Sequence, residues 1–180
     1  MRNIVLSLLL LLIGVGLAAA QEVPKRKSGS WEITRISTRN GEKPTKVQLC
    51  VDQATDKLLL QLAEGMRGET CTTQKLGRTG DKLTVDATCK IRGSTSTTHA
   101  VITGNFDSAY KIESTSIYKP PLYSETQGHA VFDAKWTGPC TAGQRPGDMT
   151  LPNGTTVNLN DNPRGKGPAP VRPPGFPPIP

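Results

Sequence analysis

The stretch DKLTVDATCKI, Asp81 to Ile91, sets Leu83, Val85, Ala87, Cys89 and Ile91 at every second position, with Thr84, Asp86, Thr88 and Lys90 between them. Successive side chains of a strand point to opposite faces, so this unbroken period of two specifies a half-buried β-strand. A chain that contains it must build a sheet with one covered face. The same period recurs in SWEITRIS (Trp31 and Ile33 against Glu32 and Thr34) and in KVQLCV, where Val47, Leu49 and Val51 oppose Gln48 and Cys50. TTHAVITGNF, AYKIESTSIY and GHAVFDAKWTG follow, with Ile102 and Phe106, Tyr110 and Ile112, and Phe132 and Trp136 as inward residues. Thr70–Leu76 is a weaker seventh strand. Turn signals separate these segments at Asn40-Gly41, Gly77–Asp81, Asn105–Ser108 and Pro120-Pro121.

One segment breaks the period. DQATDKLLLQLAEGM places Leu58, Leu59, Leu62 and Ala63 at helical spacing, with Asp52 or Thr55 as N-cap and Gly65 as the residue after the end. The expected fold is therefore mainly β with some α. It is a curved antiparallel sheet or partly open barrel of about seven strands packed around one helix. In that arrangement Trp31 closes the core at one end, opposite Trp136 on the last strand, and Glu32 alternates out to water. Both tryptophans are assigned a structural role.

Outside the periodic region the composition changes. MRNIVLSLLLLLIGVGLAAA carries one cation, Arg2, then an apolar run from Ile4 to Leu17 of about fourteen residues, short of the roughly 20 that span a bilayer. With Ala18, Ala19 and Ala20 closing it, residues 1–20 are expected to be a cleaved signal peptide that leaves no transmembrane segment. Residues 21–28, with Lys25, Arg26 and Lys27, form a basic linker whose charges solvate it. The β-rich domain occupies 29–140. Residues 141–180 form a Pro/Gly-rich tail, with a short hairpin near 148–158. Its last twenty residues contain eight prolines, which sustain neither helix nor sheet ladder, so disorder is expected there.

Export makes sense of the cysteines. Cys50, Cys71, Cys89 and Cys140 form an even set behind the signal segment, and an oxidising compartment lets them pair. Intervals of 20, 17 and 50 intervening residues lack the close Cys pair of a structural zinc site. Four cysteines allow three connectivities. Strand ends favour Cys50–Cys71, clipping the helix-bearing excursion, together with Cys89–Cys140; a Cys71–Cys89 bond across the hairpin around Gly80 is the alternative.

These motifs, taken in order, carry a resemblance. The opening GSWEIT, then CVDQATDKLL, a TC before a Gly-centred hairpin, DATCK at a strand end and the closing WTGPC resemble the exported bacterial family named domain of unknown function 3617. The likeness covers Gly29 to Cys140, and PGDMTLPNG is similar to the tails of some members. Members commonly open Pro-Gly-Leu-Trp-Glu, whereas Ser28, Gly29 and Ser30 precede Trp31 here. The resemblance implies export, disulfides and a β-rich domain, and it carries no activity over to any residue.

No nucleophile elbow, phosphate-binding loop or zinc-protease motif occurs, and neither His99 nor His129 sits in a metal-binding frame. No cofactor, metal or specific nucleic-acid partner is expected. The net charge of +7 favours anionic partners. The expected function is a non-catalytic envelope module, periplasmic or extracellular, that meets an anionic polymer or lipid through its basic tail. The alternative is a hydrolase or other enzyme assembled from dispersed residues such as His99, His129 and Asp133.

Overall fold

The computed structural model describes residues 24–37, 42–54, 56 and 70–161 of the 180-residue chain. They form nine strands: β1 (Gly29–Ser37), β2 (Thr45–Val51), β3 (Thr70–Thr79), β4 (Lys82–Ile91), β5 (Ser94–Asn105), β6 (Ala109–Leu122), β7 (Glu125–Gly138), β8 (Asp148–Thr150) and β9 (Thr156–Asn158). All belong to one open sheet in the order β3-β4-β5-β6-β7-β1-β2-β8-β9, antiparallel at every step. From β3 to β7 the chain runs as a meander. The first strand then inserts between β7 and β2, which places the two ends of the β-rich region side by side.

Alternation in the sequence is alternation in burial. On β4, Leu83, Val85, Ala87 and Cys89 are buried while Asp86 and Lys90 are exposed. Pairing in register extends that face across the sheet: Leu83 stands opposite Ile102, Ile102 opposite Ile112, and Ile112 opposite Phe132. A second row joins Trp136, Trp31, Leu49 and Met149. The resulting core contains Trp31, Leu49, Val51, Leu83, Val85, Ala100, Ile102, Tyr110, Ile112 and Ala134, with Ile33, Phe106, Phe132 and Trp136 packed against it. Each large buried side chain contributes about 1.5–3 kcal/mol. Trp31 is fully buried and donates its indole N–H to the carbonyl of Lys27 at 2.9 Å. Its ring lies 5.3 Å from Tyr110, which stacks on Phe106 at 5.2 Å.

Both disulfides are formed, but with a connectivity different from the one the strand ends favoured. Cys50 bonds Cys140, and Cys71 bonds Cys89. The order of strands explains the difference. Ser30 on β1 pairs with Cys50 on one side and Gly138 on the other, so Cys140, two residues further on, reaches Cys50. Cys71 and Cys89 are direct partners in the β3–β4 hairpin. Cys89, on β4, is separated from β7 by β5 and β6, out of reach of Cys140.

Of the expected helix, on segment 52–66, residues 55 and 57–66 lie outside the described residues, and no helix occurs among those described. At its expected start Asp52 accepts from the backbone N–H of Ala54 at 3.2 Å, within a turn. The basic segment before β1 does not simply solvate: Arg26 is buried. The backbone N–H of Lys27 donates to Phe106, and the Lys27 ammonium lies 3.9 Å from the centre of the Trp136 ring. Beyond Cys140, β8 pairs with β2 and forms a hairpin with β9. Asp148 is buried, Met149 and Leu159 pack on the core, and the backbone N–H of Gly147 donates to Cys50 at 2.8 Å. Residues 162–180 lie outside the described residues.

Candidate functional site

Residues that alternate with the core form the opposite, outer face. The same register lines them up. One row runs Lys75, Asp86, His99, Thr115, His129 from β3 to β7, and its neighbour runs Thr88, Thr97, Ile117, Gln127. Between them lies a shallow groove of about 200 Å³ lined by Asp86, Thr88, Thr97, His99, Thr115 and Ile117. Ile117 is half exposed at its edge. His99 Nδ1 and Asp86 Oδ1 are 2.7 Å apart, and both side chains are more than half exposed.

The rest of the face is rich in threonine and lysine. Lys46, Lys75, Lys82, Lys90, Lys111, Lys119 and Lys135 all project there and all are exposed, against the carboxylates of Glu32, Asp86, Glu113 and Asp133. Lys46 pairs with Glu32 at 3.0 Å and Lys111 with Glu113 at 3.1 Å. Lys90 donates to the Thr95 hydroxyl at 2.6 Å. Lys75, Lys82, Lys119 and Lys135 have no ion pair among the described residues. The face is thus broad, hydroxyl-rich and net positive. It has the electrostatics to attract an extended anion, and the groove on it that the described residues line is shallow.

A second charged group sits at the edge of the core. Arg26 holds Asp56 through its backbone N–H at 2.8 Å and through Nε and Nη2, the last at 2.6 Å, with both side chains almost fully enclosed. Its Nη1 also reaches the Tyr110 hydroxyl at 3.3 Å. Burial opposes the charge on Arg26, but the bonds to Asp56 and Tyr110 outweigh it and hold the guanidinium above its ordinary pKa. Burial raises the Tyr110 phenol, with Arg26 acting in the opposite sense. Both charges of the pair are consumed in closing one end of the fold.

The residues singled out from sequence fall in separate places. Cys50–Cys140 ties β2 to the segment that follows β7, and Cys71–Cys89 closes the β3–β4 hairpin. Trp31 and Trp136 are direct cross-strand partners at its centre, and Trp136 Nε1 donates to Ser28 at 3.1 Å. His99 and His129 stand in one row with Thr115 between them. At about 4.8 Å per strand their backbones are roughly 10 Å apart, and neither is in the other's strand pair. Asp133 lies in another row, between Lys111 and Thr34. Among the described residues no group of three or more His, Cys, Asp or Glu is placed to hold a metal ion. Nor is any helix among them long and apolar enough to cross a membrane.

Sequence reasoning missed two features. Arg26 looked like one solvated cation in a basic run, and no local pattern ties it to Asp56. The lysine and threonine face was implicit in each strand's alternation, but lining it up needed the strand order.

The fold and its faces define an open antiparallel β protein, stapled by two disulfides, whose distinctive surface is an exposed basic sheet face. The chain belongs to the family described as Protein of unknown function (DUF3617), whose model matches residues 26–140. The match begins at the buried Arg26 and ends at Cys140. No curated protein and no solved structure is matched by the chain.

Proposed function

We propose that this is an exported, non-catalytic module that binds an anionic polymer of the cell envelope on the outer face of its sheet. Four lysines without ion-pair partners, set among threonine hydroxyls on one continuous face, carry the proposal. Spread over a rigid sheet at about 14 to 30 Å from one another by register, these cations meet well-separated charges of a long polyanion without the ordering cost of a flexible basic tail. Export, with residues 1–20 removed as a signal peptide, fits the two disulfides, which persist in oxidising compartments.

The proposal puts the weight on the sheet rather than on the tail. Arg145, which lies in the 141–180 segment, is 2.6 Å from Asp161 and also near Asp148, so its charge is answered within the fold. Arg164, Lys166 and Arg172 remain as a supplementary contribution.

Retention on isolated cell envelopes tests the proposal. Replacing Lys75, Lys82 and Lys135 by Gln is expected to weaken retention at low salt. The wild-type advantage should fade as ionic strength rises from about 0.01 M to 0.15 M, where the Debye length falls from about 30 Å to 8 Å. Equal, salt-insensitive retention of both proteins would reject it.

The enzymatic alternative draws on the Asp86–His99 pair, whose carboxylate can orient the imidazole. The placement of Asp133 in another row, four residues along from the one that holds His99, weighs against a site that joins them. A pH-dependent hydrolysis abolished by His99→Ala, with envelope retention unchanged, would favour that alternative.

A further inference from the structure

Two neighbouring hairpins at one end of the sheet are built on turns that ordinarily call for glycine or asparagine. The β4–β5 loop places Arg92 at φ 47° and Gly93 at φ 84° between the paired residues Ile91 and Ser94. The β6–β7 loop places Tyr123 at φ 51° and Ser124 at φ 69° between Leu122 and Glu125. Two-residue loops with both central φ angles positive match the twist of the flanking strands, and Asn-Gly or Gly-Gly supplies them at least cost. Arg and Tyr in this region are strained. The strain is spent on two side chains that meet each other: the Arg92 guanidinium lies 5.8 Å from the centre of the Tyr123 ring, within cation–π range.

Among the described residues, the β6–β7 hairpin also runs past both neighbours. Pairing with β5 ends at Lys119 opposite Thr95, and pairing of β7 with β1 ends at Ala130 opposite Ser37. Residues 120–125 therefore form a projecting tip. Tyr123 is 49% exposed, Pro120 and Pro121 are exposed, and Leu122 is partly so. Around this apolar tip stand Lys90, Arg92 and Lys119, with Glu125 as the acid on the tip itself.

We propose that this tip docks on a lipid surface bearing anionic headgroups, with Tyr123 and Leu122 entering the interfacial layer and Arg92 and Lys119 meeting the phosphates. Tyrosine, with an apolar ring and a polar end, suits the headgroup level of a bilayer. Consecutive prolines present no N–H, so two donors that the interface would leave poorly satisfied are absent from the tip. Charge complementarity selects the anionic surface, since Lys and Arg close to it are attracted by negatively charged lipids. This contact borders the polymer-binding face and shares Lys119 with it, whereas Lys75, Lys82 and Lys135 lie outside the tip.

Co-sedimentation of the full chain with vesicles tests the proposal. Binding to phosphatidylcholine vesicles containing phosphatidylglycerol is expected, with much weaker binding to phosphatidylcholine alone. Tyr123→Gly relieves the positive φ, so it should keep or raise the melting temperature while weakening vesicle binding. Arg92→Asn with Lys119→Gln, in which Asn tolerates the same φ, should weaken binding by about 30-fold at low salt, roughly fivefold per cation. The Lys75, Lys82 and Lys135 triple variant should bind vesicles like wild type even where it loses polymer. Equal binding to both vesicle types, no binding to either, wild-type binding by folded Tyr123→Gly, or loss of binding in the triple variant would each overturn the proposal.

Discussion

Replacing Arg26 by Met removes the guanidinium from a site where its side chain is 4% exposed and that of Asp56 is 2% exposed. The carboxylate then remains enclosed without a counter-charge and without the donors at Nε and Nη2, and the Tyr110 hydroxyl loses its contact. Breaking one side of a buried ion pair costs about 3–5 kcal/mol, because the surviving charge has already left water. Against a total stability of about 5–15 kcal/mol this is a large fraction. At about 2–4 °C per kcal/mol for a domain of this size, the melting temperature should fall by roughly 6–20 °C. Urea unfolding of wild type, Arg26→Met, Asp56→Leu and the double variant provides the assay. The double variant should recover much of the loss, since replacing both charges by apolar groups is often close to neutral. An Arg26→Met protein within about 1 kcal/mol of wild type, or losses that add without coupling, would refute the view that the segment before β1 is locked into the fold by this pair.

Non-reducing peptide mapping should recover Cys50 linked to Cys140 and Cys71 linked to Cys89. Removing the first bond, which spans 90 residues, should cost about 4.5 kcal/mol, and the second, spanning 18, about 3 kcal/mol in the chain-entropy account. Gly104→Ala should destabilise by about 2 kcal/mol or more in thermal unfolding, because φ is 109° and a Cβ would lie 2.6 Å from the Ala109 carbonyl oxygen. Asp148 accepts from the backbone N–H of Arg145 and from Asn158, which hold its carboxyl below the usual range. Its folded pKa is thus lower than its unfolded one, so its contribution is present above the ordinary carboxylate pKa and is lost as pH falls through the depressed value. Asp148→Asn should be less stable than wild type at neutral pH and should lose this part of the acid-induced decline, as followed by urea midpoints against pH.

The strands were legible because alternation is a local property. Leu83, Val85 and Ile102 had to share a covered face wherever their strands lay, and the turn at Gly80 fixed β3 beside β4. The insertion of β1 between β2 and β7 was not legible, since no short-range signal says which distant strand a given edge will accept. The pairing of cysteines by strand ends went astray at that point: Cys50 and Cys140 are neighbours only because Ser30 lies between Cys50 and Gly138. Arg26 illustrates the second limit. A charge in a basic run solvates by default, and its burial depends on a partner 30 residues away. Arg92 and Tyr123 illustrate a third, because nothing in the sequence around Tyr123-Ser124 announces positive φ, and the turn is imposed by the register of β6 on β7.

The central claim, that the outer face rather than the core face or the tail meets the polyanion, is tested most directly by backbone amide shifts of the isotopically labelled chain titrated with dextran sulfate as the model polymer. Shifts should concentrate at Lys75, Lys82, Thr97, Thr115 and Lys135 and diminish as salt is raised. Shifts confined to residues 162–180, or centred on residues at the Arg26–Asp56 end, would contradict it.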